Sequence, residues 1–245
     1  HHEEGPGQNE IDFRYSDPLT AADNTLTFQA VVKTVAERNG LYADFSPKPL
    51  RHQPGNGFHI NISVKGGNCE DPLSHMIAGI LAHISELTVF LNPTVASYER
   101  FGGPKAPEYI SWSNQNRSQL IRVPAAVDAY RRAELRSPDP TTNPYLAFAV
   151  CLAAGLDGIR NKIMPPKSID CNIFEMTEEE RAAAGAELLP RTLLEAAQAF
   201  EEDTYIKNVL GDDLTEKYIK VKTEEYMNYR NQVTDWEIAK YLHVI

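Results

Sequence analysis

The chain has 245 residues, of which 42% are hydrophobic, enough to bury a sizeable core in one large domain or two smaller ones. Its formal net charge of -10 argues against nucleic acid as a bulk partner. No run of about 18 consecutive apolar residues occurs, so no membrane span is expected. The cysteines Cys69, Cys151 and Cys171 form no C-x-x-C pair, and no basic-then-apolar leader opens the chain. Reduced thiols and a cytoplasmic location are the expectation.

In chain order, Gln8 to Tyr15 alternates, with Ile11 and Phe13 on one side and Gln8, Glu10, Asp12 and Arg14 on the other, which predicts a half-buried strand. Asp17-Pro18 starts a helix whose apolar stripe is Leu26, Val31, Val32 and Val35, with Gly40 as its C-terminal stop. Tyr42 to Ser46 reads as a strand, and Pro47 to Gly57 as a turn-rich loop. From Phe58 the alternation returns: Phe58, Ile60 and Ile62 point one way, and His59, Asn61 and Ser63 the other. Asp71-Pro72 opens a helix striped by Leu73, Met76, Ile77, Ile80, Leu81, Ile84 and Leu87. Phe101 to Pro107 is a loop, Gln119–Val123 and Arg132–Ser137 are strands, Asn143-Pro144 starts an apolar helix to about Ile159, and the chain from Pro190 onward is mostly helical. Neither a G-x-G-x-x-G turn nor a P-loop is present. These elements predict an α+β fold in which a curved, largely antiparallel sheet lines a cavity with its polar face and rests its apolar face on helices.

Charge is unevenly placed. Arg100 to Arg136 holds Arg100, Lys105, Arg117, Arg122, Arg131, Arg132 and Arg136 against Glu108, Asp128 and Glu134, a local balance of +4 in an acidic chain. Arginine suits planar carboxylates and phosphates. In a strand, Arg132, Glu134 and Arg136 share one face, which lines an anion- and metal-holding pocket better than it packs a core. Glu3, Glu10, His59 and Glu134 with these guanidiniums compensate one another if divalent cations and phosphates sit among them. Oxygen-rich donors with one histidine favour Mg²⁺ or Mn²⁺ over zinc.

Several segments then match a known family in order. His1-His2-Glu3-Glu4-Gly5-Pro6-Gly7-Gln8-Asn9-Glu10 resembles the HHE…GQ-x-E segment of glutamine synthetases. Lys48-Pro49 with Gly55-Asn56-Gly57-Phe58-His59-Ile60-Asn61-Ile62-Ser63 resembles their K-P…G-x-G-x-H-x-[HN]-x-S run. Asn92-Pro93, Ser97 to Arg100, Asn116-Arg117-Ser118, Ile121 to Pro124, Arg132 to Arg136 and Asn143-Pro144 follow in the same order. The resemblance is strong over 1–160 and weaker over the helical 161–245, and it reads 1–245 as one catalytic domain.

It implies that ATP phosphorylates the side-chain carboxylate of glutamate and that ammonia displaces the phosphate. It implies Glu3 and Glu10 on one metal ion, His59 and Glu134 on a second, and two or more Mg²⁺ or Mn²⁺ per site. Arg100, Arg136 and Gly55 would meet glutamate; Asn61, Ser63, Arg117, Arg122 and Arg132 would face ATP. Homo-oligomeric stacked rings with sites between subunits are implied, together with a preceding Glu-x-Glu strand that supplies two further metal ligands and, beyond it, a small N-terminal domain, about a hundred residues in all.

Three departures stand out. Lys105 falls where the family places a flap glutamate that deprotonates ammonium, and like charges about 4 Å apart cost ~4 kcal/mol at an effective dielectric near 20. Glu108 or Glu99 could substitute, or the acceptor could be a neutral or bulkier amine, or Lys105 could simply face solvent. Ala129 or Tyr130 replaces an ATP-site lysine, and Phe174 replaces the tyrosine that adenylylated members modify, so no adenylylation is expected there. A scaffold that had lost its chemistry would not be expected to keep Glu3, Glu10, His59, Glu134 and the arginines.

Overall fold

The computed structural model describes residues 2–65, 69–103, 105–126, 130–242 and 244; His1 and Ala129 lie outside them. Helix α1 (Pro18–Arg38) starts where Asp17 accepts a hydrogen bond from the Thr20 amide, and Gly40 follows its end at φ 68°. Strand β1 (Ile60–Ile62) leads to helix α2 (Pro72–Leu91), a 3-10 turn at Val95–Arg100, and strands β2 (Tyr109–Ile110), β3 (Trp112–Asn114), β4 (Ile121–Val123) and β5 (Ala133–Leu135). Helix α3 (Pro144–Arg160) begins at Asn143, whose side chain accepts from the Tyr145 and Leu146 amides. Helix α4 (Glu178–Ala183), strand β6 (Glu187–Leu188) and helices α5 (Leu193–Glu202), α6 (Tyr205–Leu210), α7 (Asp212–Arg230) and α8 (Asp235–Tyr241) complete the chain.

The main sheet has the order β1-β5-β4-β3, antiparallel at the first two pairings and parallel at the third, and β2 pairs with β6 separately. It is a small mixed sheet rather than a barrel. Helix α2 fills the core between α3 and α5, with Ile77, Ile80, Ile84, Leu87 and Phe90 almost fully buried. By length and mean hydropathy α2 could cross a membrane, but 67% of its apolar window is buried inside the protein. The absence of an unbroken apolar run therefore understated this helix. Its backbone meets that of α3 directly: a Cβ on Gly79 would lie 2.2 Å from the Ala154 carbonyl oxygen, and one on Gly158 2.1 Å from that of His75.

Two expected strands are absent. Residues 10–17 and 41–46 have no regular structure, and Ile11 and Phe13 are exposed. Phe13 instead packs edge-on to Phe28 of α1, and Phe28 to Phe45, so both segments lie on α1. The α1 stripe is also not core: Leu26, Val31 and Val35 are exposed, whereas Ala22 and Thr25 are buried. Asp71 precedes α2 in the left-handed region at φ 53° without capping it through its side chain, which accepts from the Ser74 hydroxyl instead.

Candidate active site

The register of the sheet builds the site. Asn61 lies opposite Glu134, Glu134 opposite Arg122, and Arg122 opposite Ser113, a polar row running across all four strands. The neighbouring row, Ile60, Leu135 and Ile121, belongs to the hydrophobic core. The period of two thus separates chemistry from packing.

Glu134 is buried at the centre of this face. Its Oε1 lies 3.2 Å from His59 Nδ1 and accepts from an Arg136 N–H at 2.9 Å, while its Oε2 accepts from Arg122 at 2.8 Å. Burial would raise its carboxyl pKa, but the His59 hydrogen bond and the Arg136 and Arg122 guanidiniums outweigh it and hold it at about 2. Burial pushes the His59 imidazole below its ordinary value despite Glu134, with Arg136 and Arg100 adding to the effect. Beside this row, Arg132 donates from Nε to Asn61 at 3.0 Å.

Arg100 is buried and donates to the backbone carbonyls of Ser137 at 2.6 Å and Arg136 at 3.2 Å. Burial lowers its pKa to about 10 even with Asp139 nearby. It therefore braces the strand that carries Arg136. Arg136 in turn donates from Nε to the Arg117 carbonyl at 3.1 Å, which ties Arg117, an exposed residue, to the same edge. Gly55 has a packing reason to lack a side chain, since a Cβ there would lie 2.5 Å from the Pro47 carbonyl oxygen and 2.9 Å from Arg100 Cγ. Gly57 likewise leaves room for Arg100 and His59. Ser63 is half-buried beyond the end of β1.

The N-terminal segment reaches this face through Gln8. Its amide donates to the Gly55 carbonyl at 3.1 Å and to Asn56 Oδ1 at 2.8 Å, while the Glu3 amide bonds back to the Gln8 carbonyl at 2.9 Å. Glu3 and Glu10 hydrogen-bond each other, which lowers the Glu3 pKa and raises that of Glu10, and Glu10 also interacts electrostatically with His59. Glu3 thus pairs with Glu10, Glu10 interacts with His59, and His59 contacts Glu134. Lys105 reaches the same place: its Nζ lies 3.3 Å from Glu3 Oε2 and 2.9 Å from Glu4 Oε1, an engagement rather than an idle solvent-facing lysine. Glu108 lies beneath the flap turn, where a Cβ on Gly102 would sit 3.2 Å from its carboxylate, and Glu99 is exposed.

Gln8, Glu4 and Gly57 were not singled out from sequence. Gln8 and Gly57 sit inside the quoted motifs, but a hydrogen bond spanning 47 residues has no periodic signature. A second cluster of potential ligands, His83, Glu86 and Asp203, joins α2 to the α5–α6 junction. Both nitrogens of His83 already meet carboxylates, Glu86 at 2.9 Å and Asp157 at 3.1 Å.

A sequence model of the glutamine synthetase catalytic domain matches residues 1–241. The chain belongs to the glutamine synthetase family. Glutamine synthetase of Clostridium saccharobutylicum is 47% identical over 99% of this chain, and that of Methanococcus voltae is 43% identical over 100%. A solved structure described as "GmaS/ADP complex-Conformation 1" superposes with a TM-score of 0.88 at 35% identity, over 98% of this chain. The chain spans 58% of the length of each of these three glutamine synthetase-like proteins.

Proposed function

We propose that this chain is the catalytic part of an ATP-dependent ligase that phosphorylates the side-chain carboxylate of glutamate and joins it to ammonia, giving glutamine. The observation that carries this reading is the pairing of Glu3 with Glu10 and, linked to it through His59, an arginine-held Glu134. The donors suit divalent metal ions. Glu3 and Glu10 share a hydrogen bond that a metal ion can replace, burial favours the neutral, metal-binding form of His59, and a carboxylate has lone pairs beyond the three partners Glu134 already has. Glu3 and Glu10 would hold one Mg²⁺ or Mn²⁺, and His59 and Glu134 another. Such ions neutralise charge as a phosphoryl group moves.

The remaining roles fall to the arginines. Among the described residues Arg122 keeps a buried Nε with no hydrogen-bond partner, a donor suited to a phosphate oxygen. Arg117 and Arg132, with Asn61 and Ser63, would meet the rest of the nucleotide, in keeping with ADP in the structural relative. Arg136 would take a glutamate carboxylate, with Arg100 holding its strand and Gly55 shaping the adjoining loop. The names of the relatives support glutamate and ammonia or an amine as substrates, and a homo-oligomer of stacked rings follows the family. The free thiols Cys69, Cys151 and Cys171 fit a cytoplasmic location.

The test is phosphate release from ATP by the complete protein, with and without glutamate, against ammonia and a panel of amines. Release that needs both glutamate and a nitrogen donor is the expected result; no glutamate-dependent release with any donor overturns the reading. A second reading rests on Lys105, a cation where the family has an acid: the acceptor is a neutral or bulkier amine instead of ammonia. It expects an alkylamine to outcompete ammonia and Lys105→Glu to shift preference toward ammonia. Equal use of ammonia by both proteins would exclude it.

A further inference from the structure

We propose that Lys105 is a built-in competitor for the divalent cation at Glu3, so that metal loading and release of the flap from the N-terminal segment are one linked event. The inference rests on the metal assignment of Glu3 made above. The flap is a tight hairpin: the Gly102 amide bonds to the Ala106 carbonyl at 3.1 Å and the Ala106 amide to the Gly103 carbonyl at 2.9 Å, with Gly102 at φ 85°, a value that favours glycine. This fold carries Lys105 out to the Glu3–Glu4 pair, where its ammonium contacts one carboxylate oxygen of each.

The other side of the contact is equally built. Glu3 is held by its own amide bond to the Gln8 carbonyl, by the His2–Asn9 bridge, and through Gln8 by the Gly55–Asn56 loop. Glu3 therefore stays beside Glu10 whichever cation it meets. Three carboxylates, Glu3, Glu4 and Glu10, gather here, and Lys105 supplies a single positive charge to two of them. A divalent ion on Glu3 and Glu10 would face that ammonium at close range. Like charges repel, so the ion and the lysine cannot both be held tightly, and by reciprocity each weakens the other equally. A glutamate in the flap would instead attract the ion. Because Lys105 is partly exposed, solvent screens the competition, and a moderate effect is expected.

The test is Mn²⁺ binding to the full chain by calorimetry, checked by the free-ion spin-resonance signal, with no turnover involved. Lys105→Gln and Lys105→Ala should each tighten Mn²⁺ about tenfold, which is about 1.4 kcal/mol, while Glu3→Gln should weaken it and erase the benefit of the Lys105 changes. If Glu3→Gln weakens binding but neither Lys105 variant changes it, the competition is refuted and the metal assignment stands. If Glu3→Gln leaves Mn²⁺ affinity unaltered, the metal assignment itself fails, and the competition with it. Circular dichroism of each variant separates misfolding from either result, and two Lys105 variants guard against one that does not fold.

Discussion

At His83 two carboxylates from different helices grip one imidazole. Glu86, on the same helix, meets Nδ1, Asp157 on α3 meets Nε2, and the ring stacks on Tyr205 at 5.0 Å, with Asp203 close by. The Glu86 hydrogen bond, with Asp157 adding to it against the opposing effect of burial, raises the pKa to about 9. A histidine that titrates higher when folded than its ordinary 6.5 stabilises the fold fully below pH 6.5. That stabilisation is lost as pH rises from there through about 9. The difference is worth at most about 3 kcal/mol, and solvent screening at this half-buried ring reduces it. Urea unfolding at about pH 6 and about pH 10 should show the loss in the native protein and a smaller one in His83→Gln; equal losses would remove His83 from the account.

Strand faces are legible in the sequence. Period-two alternation at Phe58–Ser63 and Arg132–Arg136 assigned His59, Asn61, Glu134 and Arg136 to a polar face, because alternation is a local property of extended backbone. The partner of Lys105 was not legible: which carboxylate a flap lysine meets depends on loop closure between segments about a hundred residues apart.

Among elements, α2 and α3 meet backbone to backbone. Their backbones approach so closely at Gly79 and Gly158 that even a methyl group has no space. Overpacked cores typically lose 1–3 kcal/mol, and backbone rather than a flexible side chain blocks these sites. Gly79→Ala and Gly158→Ala should each lower stability by about 2–3 kcal/mol in denaturant titrations, whereas Gly103→Ala, whose Cβ would meet nothing within 4 Å, should be far milder. Both long helices were legible because a helical stripe and an Asp-Pro or Asn-Pro start are local signals. The strands expected at 8–15 and 42–46 were not formed because alternation states which side is apolar but supplies no neighbouring strand. The aromatic chain Phe13–Phe28–Phe45 holds those segments instead. Strands β2 and β6, two residues each, are too short for any periodicity to reveal.

For the molecule as a whole, composition could say that apolar faces exist but not what covers them. The α1 stripe and the α8 residues Trp236, Ile238 and Tyr241 are exposed in this chain, a pattern a packed helix and an assembly surface share in sequence. Charge segregation is plain in the sequence. A net -10 protein concentrates its arginines in the stretch that builds the polar face of the sheet, which gives an anionic ligand a locally attractive field inside a repulsive exterior. Because Arg117, Arg122 and Arg132 are exposed or only half-buried, that attraction is screened by salt. The affinity of the complete protein for ADP should therefore fall roughly fivefold between about 0.05 and 0.5 M NaCl, read by calorimetry at fixed Mg²⁺. In Arg122→Gln the affinity should start lower and the salt dependence should flatten. A native salt dependence no steeper than that of the variant would mean that Arg122 does not face the nucleotide phosphates.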